Sequence, residues 1–359
     1  MKRLRNAMMI LFFCLLISIL VVGLFYNYSI SPVDKKDNEE IEVIIESGSG
    51  IEQIGETLKE KDLIHGKNVF KLYCYIYKTN SLKAGTYKLS KSMSLKEIVN
   101  TLSEGNNYNP DEITITFKEG LNMRGIAKVI ERNTNNSYED TFNTLKDTVY
   151  IDSLINKYWF LTDDIKNTNI YYPLEGYLYP DTYKFKNKDV TVKEIFKKLL
   201  DEEDKFLTKY KSNINDSKYN IHQLLSLASV VELEGVTSSD RANIASVFYN
   251  RLNKNMPLGS DVTAYYANKV DLSERDLTVN EYNVNNPYNT RVVLNAGKIP
   301  IGPICSIGET SLKAVLNPTN TDYYYFVSDK NRKIYFSKTY QEQVATINKL
   351  KQEGKWFTW

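Results

Sequence analysis

The chain has 359 residues, with 46 lysines and arginines against 44 aspartates and glutamates, a formal charge of +2, three cysteines and two histidines. That length implies two or three domains, and the balanced charge argues against a basic nucleic-acid face, so no nucleic-acid partner is expected. The cysteine and histidine counts exclude a disulfide scaffold and a histidine-rich metal centre, and neither His65 nor His222 sits in a recognisable nucleophile motif.

Residues 7–26 (AMMILFFCLLISILVVGLFY) carry no charge; as a helix they cover a hydrocarbon core roughly 30 Å thick. Lys2, Arg3 and Arg5 precede the run, which by the positive-inside rule keeps the N-terminus cytoplasmic and turns the remainder outward. The run is longer than the apolar region of a signal peptide, and no small-residue cleavage site follows it. A retained single-pass anchor in the cell membrane is therefore expected over 1–26. Residues 27–40 (NYSISPVDKKDNEE) are polar and aperiodic and read as a linker standing the outer part off the membrane.

From residue 41 the pattern becomes a small α/β module, taken as 41–110. It opens on a strand at 41–45 and an amphipathic helix with Ile51, Ile54, Leu58 and Leu63 on one side. A second helix follows at 68–77, then a strand within 82–90. A helix opens at Ser94, with Glu97 three residues on and Gly105 near its stop. Residues 111–190 read as a strand-rich connection: a strand at 114–117, a helix, and aromatic strands on either side of the Pro180-Asp181 turn. Helical periodicity resumes after residue 190 with Ile195, Leu199, Leu200 and Phe206, and 191–359 is taken as the final domain. The fold class is α+β, with Cys74 and Cys305 as separate buried thiols.

The chemistry is expected in 221–252 (IHQLLSLASVVELEGVTSSDRANIASVFYNRL). Ile221, Leu224, Leu225, Ala228 and Val231 follow a helical period, and Gly235 closes the helix just after Glu232 and Glu234. A carboxyl at the end of a buried helix is desolvated and can stay protonated near neutral pH, as a general acid for a glycosidic oxygen must. The plainer reading is a solvated or ion-paired pair of glutamates. Two residues apart on a helix, they point to nearly opposite sides, so at most one faces a given cleft. Periodicity does not choose between them.

The segments ASVVELEG (228–235), SVFYNRL (246–252), GSDVTAYY (259–266), NNPYNTR (285–291), GKIPIGPICSIG (297–308), SLKAVLNP (311–318) and YYFV (324–327) occur in that order. In this order and spacing, with LKAGTYKL, KEGLNM and EGYLYPDTYKF upstream, the chain resembles the MltG/YceG-like family of membrane-anchored endolytic murein transglycosylases over roughly residues 41–350. The resemblance implies catalysis by the second glutamate, Glu234, with Glu232 supporting it and Asn250, Asp261, Thr263, Tyr288, Asn289 and Thr290 around the substrate. It implies cleavage of the MurNAc–GlcNAc bond of nascent peptidoglycan strands without water, leaving 1,6-anhydro-MurNAc ends and ending strand elongation. It implies no metal or organic cofactor, a LysM-like character for 41–110, and a peptidoglycan synthase as partner. The chain departs from the family pattern at Leu233, Val262, Arg291, Ile301 and Ile307, which bears on the shape of the substrate loops. A muramidase using water, with Asp261 as second carboxylate, and an inactive glycan-binding scaffold are the competing readings.

Overall fold

A computed structural model describes residues 2–79, 82–105 and 108–356. The side chains of Lys2 and Arg3, on which the cationic flank rests, lie outside the described residues. The chain divides into two compact units, Met1–Glu112 and Ile113–Trp359.

In the first unit, α1 (Lys2–Ile30) is one uninterrupted helix, and Met8–Ile30 is long and apolar enough to cross a membrane. Its apolar side chains, among them Phe13, Leu20 and Phe25, stand exposed. The linker expected at 27–40 takes a different form. Residues 27–30 continue the helix, and Pro32 stops it by excluding the helical conformation at the residue before it. The rest lies against the module, with the Asp34 N–H donating to the Lys91 carbonyl (3.0 Å) and the Ser92 N–H to the Asp37 carbonyl (3.0 Å). A polar composition signals exposure, and two backbone bonds suffice to pin such a strip.

The module runs β1 (Ile41–Ile45), α2 (Ile51–Glu60), α3 (Lys67–Ile76), β2 (Gly85–Leu89) and α4 (Leu95–Glu104). β1 and β2 pair antiparallel with Val43 opposite Tyr87. Alternation along both strands sends Val43, Ile45, Tyr87 and Leu89 inward, onto Ile54, Leu58, Phe70, Ile98 and Leu102 of the helices. α4 starts in a reciprocal cap between Ser94 and Glu97 and ends at Gly105 in the left-handed region (φ 73°), as its sequence predicts.

The second unit contains β3 (Ile113–Thr116), α5 (Met123–Asn133), α6 (Tyr138–Lys146), α7 (Thr148–Lys157), β4 (Thr182–Phe185), α8 (Val192–Thr208) and α9 (Lys211–Asn215). It continues with α10 (Ile221–Glu234), α11 (Ser238–Asn253), α12 (Asp261–Ala267), α13 (Val279–Tyr282) and α14 (Glu309–Leu316). β5 (Tyr325–Ser328), β6 (Ile334–Ser337) and α15 (Tyr340–Gln352) close it. β3 pairs antiparallel with β4, and β5 with β6. One apolar core reaches from Ile115 through Leu225 to Ile334, so both sides of residue 190 share it.

The strand-rich reading of 111–190 is corrected: three helices separate two strands of four residues each. Of the two aromatic strands expected around Pro180-Asp181, only the second forms. Residues 175–179 turn instead, with Tyr177 and Leu178 in the core. Gly176 sits at φ +76° against Pro303, where a side chain has no room. Cys74 and Cys305 are free and buried, and Cys14 is exposed on α1.

Candidate active site

α10 is the centre of the second unit. Asn220 and Gln223 cap its start reciprocally, and every side chain from Ile221 to Glu232 except Gln223 is buried. A helix apolar all round is a core helix, and α11, α12 and α14 pack on it. Its few polar groups are satisfied locally. His222 lies between the Tyr177 hydroxyl (2.6 Å to Nδ1) and the Ile301 carbonyl (2.7 Å from Nε2). A carbonyl only accepts, so Nε2 carries the proton and Nδ1 accepts from Tyr177. Burial pushes the His222 pKa down. The Ser229 hydroxyl accepts from the Ile304 N–H (3.0 Å).

The two glutamates at the end of α10 have different surroundings. Glu232 turns inward. Its Oε1 accepts from Arg241 Nη2 (2.7 Å), and its Oε2 accepts from the Gly308 N–H (2.9 Å) and the Ser311 hydroxyl (2.6 Å). It is thereby committed to a buried ion pair and to the start of α14. Arg241 also donates to the Thr310 hydroxyl (3.0 Å). Gly235 is a glycine for this reason, since a Cβ there would run into the Arg241 side chain.

Glu234, on the last turn, is half-buried and reaches the surface. The Ser260 hydroxyl donates to its Oε1 at 2.5 Å. Burial raises its carboxyl to about 7; the Ser260 hydrogen bond pulls it down and the charge of Asp261 pushes it up. A desolvated yet reachable carboxyl can give and take a proton near neutrality.

The loops before α12 and after α13 hold Ser260 in place. The Ser260 N–H donates to the Thr290 hydroxyl (3.1 Å), and the Gly259 N–H to the Thr290 carbonyl (2.9 Å). The buried Thr263 hydroxyl donates to the Ser260 carbonyl (2.7 Å), accepts from the Thr290 N–H (3.0 Å) and lies 2.8 Å from the Thr290 hydroxyl. Asp261, the first residue of α12, is exposed and ion-paired with Arg291. Asn289 is fully buried: its amide donates to the carbonyls of Tyr282 (3.1 Å) and Val284 (2.9 Å), and its oxygen accepts from the Arg291 N–H (3.1 Å).

Thr263 and Thr290 are thus brought to Glu234 through Ser260, while Asp261 and Asn289 frame the same loops. Tyr288 is a core aromatic, packed edge-on against Tyr266 and accepting from the Tyr171 N–H (3.3 Å). Asn250 holds the approach to β5, donating to the carbonyls of Thr321 and Tyr323 (both 2.9 Å).

A cleft of about 290 Å³ opens beside this constellation, lined by Leu233, Val262, Tyr265, Tyr266, Leu121 and Asn122 among others. Leu233 and Val262 are the sequence neighbours of Glu234 and Asp261, while Glu234, Ser260 and Asp261 are not among the residues that line the cleft. Its walls are mainly apolar with a few polar groups, which suits the faces of pyranose rings and their acetamido groups.

Two residues of this region escaped the sequence reading. Ser260 was legible only as part of a motif, because its partner lies 26 residues upstream. Glu175 sits beneath the cleft wall, its Oε2 accepting from the Met123 N–H (2.9 Å) and the Tyr266 hydroxyl (2.8 Å), and burial raises its carboxyl to about 7. A carboxyl raised in the folded state stabilises the fold most below its unfolded value near 4.5, and that contribution fades as pH rises through about 7. Glu175→Gln is therefore expected to flatten the loss of Tm between pH 5 and pH 8, with a gain of up to about 3 kcal/mol at the alkaline end. Thermal denaturation across that range checks it.

The family model described as the YceG-like family matches residues 43–349. The chain is 35% identical over 341 residues to a Bacillus subtilis protein named endolytic murein transglycosylase, covering 93% of this chain and 91% of that one. It is 31% identical to a Streptococcus pneumoniae protein of the same name, of which it spans 64%. The crystal structure of a yceG-like protein from Listeria monocytogenes superposes with a TM-score of 0.61 at 36% identity, covering 86% of this chain and 99% of that one.

Proposed function

The chain belongs to the YceG-like family, and on that premise we propose that it is a membrane-anchored lytic transglycosylase that cuts inside peptidoglycan strands, with Glu234 as acid and then base. The observation that carries the assignment of the residue is the desolvated, surface-reaching carboxyl of Glu234 with Ser260 donating to it. Protonated, Glu234 gives its proton to the glycosidic oxygen between MurNAc and GlcNAc as the C1–O bond breaks. The carboxylate left behind takes the proton of the MurNAc C6 hydroxyl, whose oxygen closes on C1 as a 1,6-anhydro ring. No water enters, and the enzyme ends in its starting state.

A hydrolase of the usual kind needs a second free carboxylate opposite the first. Asp261 is held in an ion pair with Arg291, which favours the one-carboxylate route. The β1–α2–α3–β2 order of the first unit supports a LysM-like, glycan-positioning role. The apolar helix α1 supports anchoring, and the basic residues ahead of its span support a cytoplasmic N-terminus. Cutting within nascent strands would end their elongation, with a synthase as the natural neighbour.

The test is mass spectrometry of fragments released from uncross-linked glycan strands by the full-length protein. Anhydro-MurNAc ends are expected. Reducing MurNAc ends would make it a muramidase, and binding without release a scaffold.

The pH dependence follows from the surroundings of Glu234. The acid form is lost above about pH 7, so kcat/KM should fall there. Ser260→Ala removes a hydrogen bond that favours the ionised form and should move that limb to higher pH. Asp261→Asn removes a repelling charge and should move it lower. Profiles of anhydro-end formation for the three proteins check both signs.

A further inference from the structure

α3 presents an apolar and aromatic face that its own module does not cover. Leu72, Tyr75, Ile76 and Tyr77 are 47%, 82%, 53% and 59% exposed, while Phe70, Tyr73 and Cys74 on the other side are buried in the module core. Leu72, Tyr75 and Ile76 stand at i, i+3 and i+4, so they form one continuous patch.

The position of that patch relative to α1 says what covers it. Twenty helical residues counted from Met8 rise about 30 Å and reach the far edge of a hydrocarbon core near Asn27. Tyr26 lies at that edge, close to Tyr77 at the end of α3, where α1 packs on α3. Tyr73 packs against Tyr77 with ring centroids 4.4 Å apart and the rings tilted by 33°. Two residues further along α1, Tyr28 packs against His65 with ring centroids 4.3 Å apart, and Ile30 packs on the module core. The C-terminal end of α3 therefore reaches back along α1 to the level where hydrocarbon gives way to headgroups, with no slack between span and module. Lys78 is exposed just beyond the end of α3, as suits anionic headgroups. Tyrosines are favoured at that depth because the ring is apolar and the hydroxyl wet.

We propose that the exposed face of α3, centred on Tyr75 and Ile76, is seated in the interfacial layer of the outer leaflet, so that the first module rests on the bilayer. The proposal rests on the anchoring role of α1, and the experiment separates the two. Full-length protein is reconstituted in phosphatidylglycerol–phosphatidylethanolamine vesicles whose acyl chains carry bromines at shallow or deep positions. Tryptophan emission is then compared, above the native tryptophan background, for Tyr75→Trp, Ile76→Trp, Phe13→Trp and Ile44→Trp. Ile44 is exposed on β1, between the inward-facing Val43 and Ile45, on the sheet face turned away from the core.

Shallow bromines are expected to quench the α3 reporters and deep bromines the Phe13→Trp reporter, while Ile44→Trp keeps its emission. Quenching at Phe13→Trp with none at either α3 position overturns the interfacial seating and leaves the anchor standing. Equal quenching at Ile44→Trp and Tyr75→Trp overturns it too, because the contact would not be specific to α3. No quenching at any position removes the anchor and the proposal together.

Discussion

Glu234→Gln is expected to abolish the release of anhydro-MurNAc ends, by 10²-fold to about 10⁴-fold or more, without lowering Tm. The magnitude is that of removing a general acid or base, and the upper end is expected because one carboxyl is proposed to serve both steps. Stability should hold or rise. The amide is neutral, keeps an acceptor for the Ser260 hydroxyl 2.5 Å away, and removes a group whose ionisation burial opposes. Mass spectrometry of the released fragments beside thermal denaturation gives both numbers. A Glu234→Gln protein that still forms anhydro ends at the parental rate would move catalysis to another residue.

The neighbouring change should do the reverse. Glu232→Gln breaks a buried ion pair and leaves the charge of Arg241 without its direct partner, with only the more distant Glu119 carboxyl near it. It also weakens the acceptor for the Gly308 N–H and the Ser311 hydroxyl. Removing one partner of such a pair costs about 3–5 kcal/mol, on the order of 10 °C in Tm for a unit of this size. The molecules that remain folded should keep a large part of their activity, because Glu234 and Ser260 are untouched. Calorimetry with an activity measurement normalised to folded protein decides. A normal Tm with lost activity would mean that Glu232 takes part in the chemistry.

The same contrast shows what the sequence could and could not carry. That at most one of the two glutamates could face a given cleft followed from helical geometry, and the resemblance carried by the ordered motifs implied Glu234. The reason Glu232 is unavailable could not be seen locally, because its partners lie 9, 76 and 79 residues away. Helix starts were legible at Ser94, whose cap is made with Glu97 three residues on. The strands expected before Pro180 were not, since Tyr177 and Leu178 are apolar for the sake of a core that the turn at Gly176 delivers them to. Residues 27–40 looked like a tether because polar residues do not announce which backbone groups they will bond. Ser260 was visible as a motif member, but its contact with Glu234 depends on a loop anchored by Thr263 and Thr290.

The pairing of β3 with β4 has a consequence for the order of folding. Ile113 meets Phe185 and Thr116 meets Thr182, so a four-residue ladder joins the two ends of an excursion containing α5, α6 and α7. A two-stranded ladder of that length is marginal alone, and it must overcome the entropy of closing a long loop before any contact repays it. The helices within the excursion have caps of their own at Asn122, Ser137 and Asp147 and can form without it. During synthesis β3 emerges some 70 residues before its partner. The ladder is thus a late clasp, and until it closes the inner face of β3, with Ile115, waits exposed as a point of misassembly.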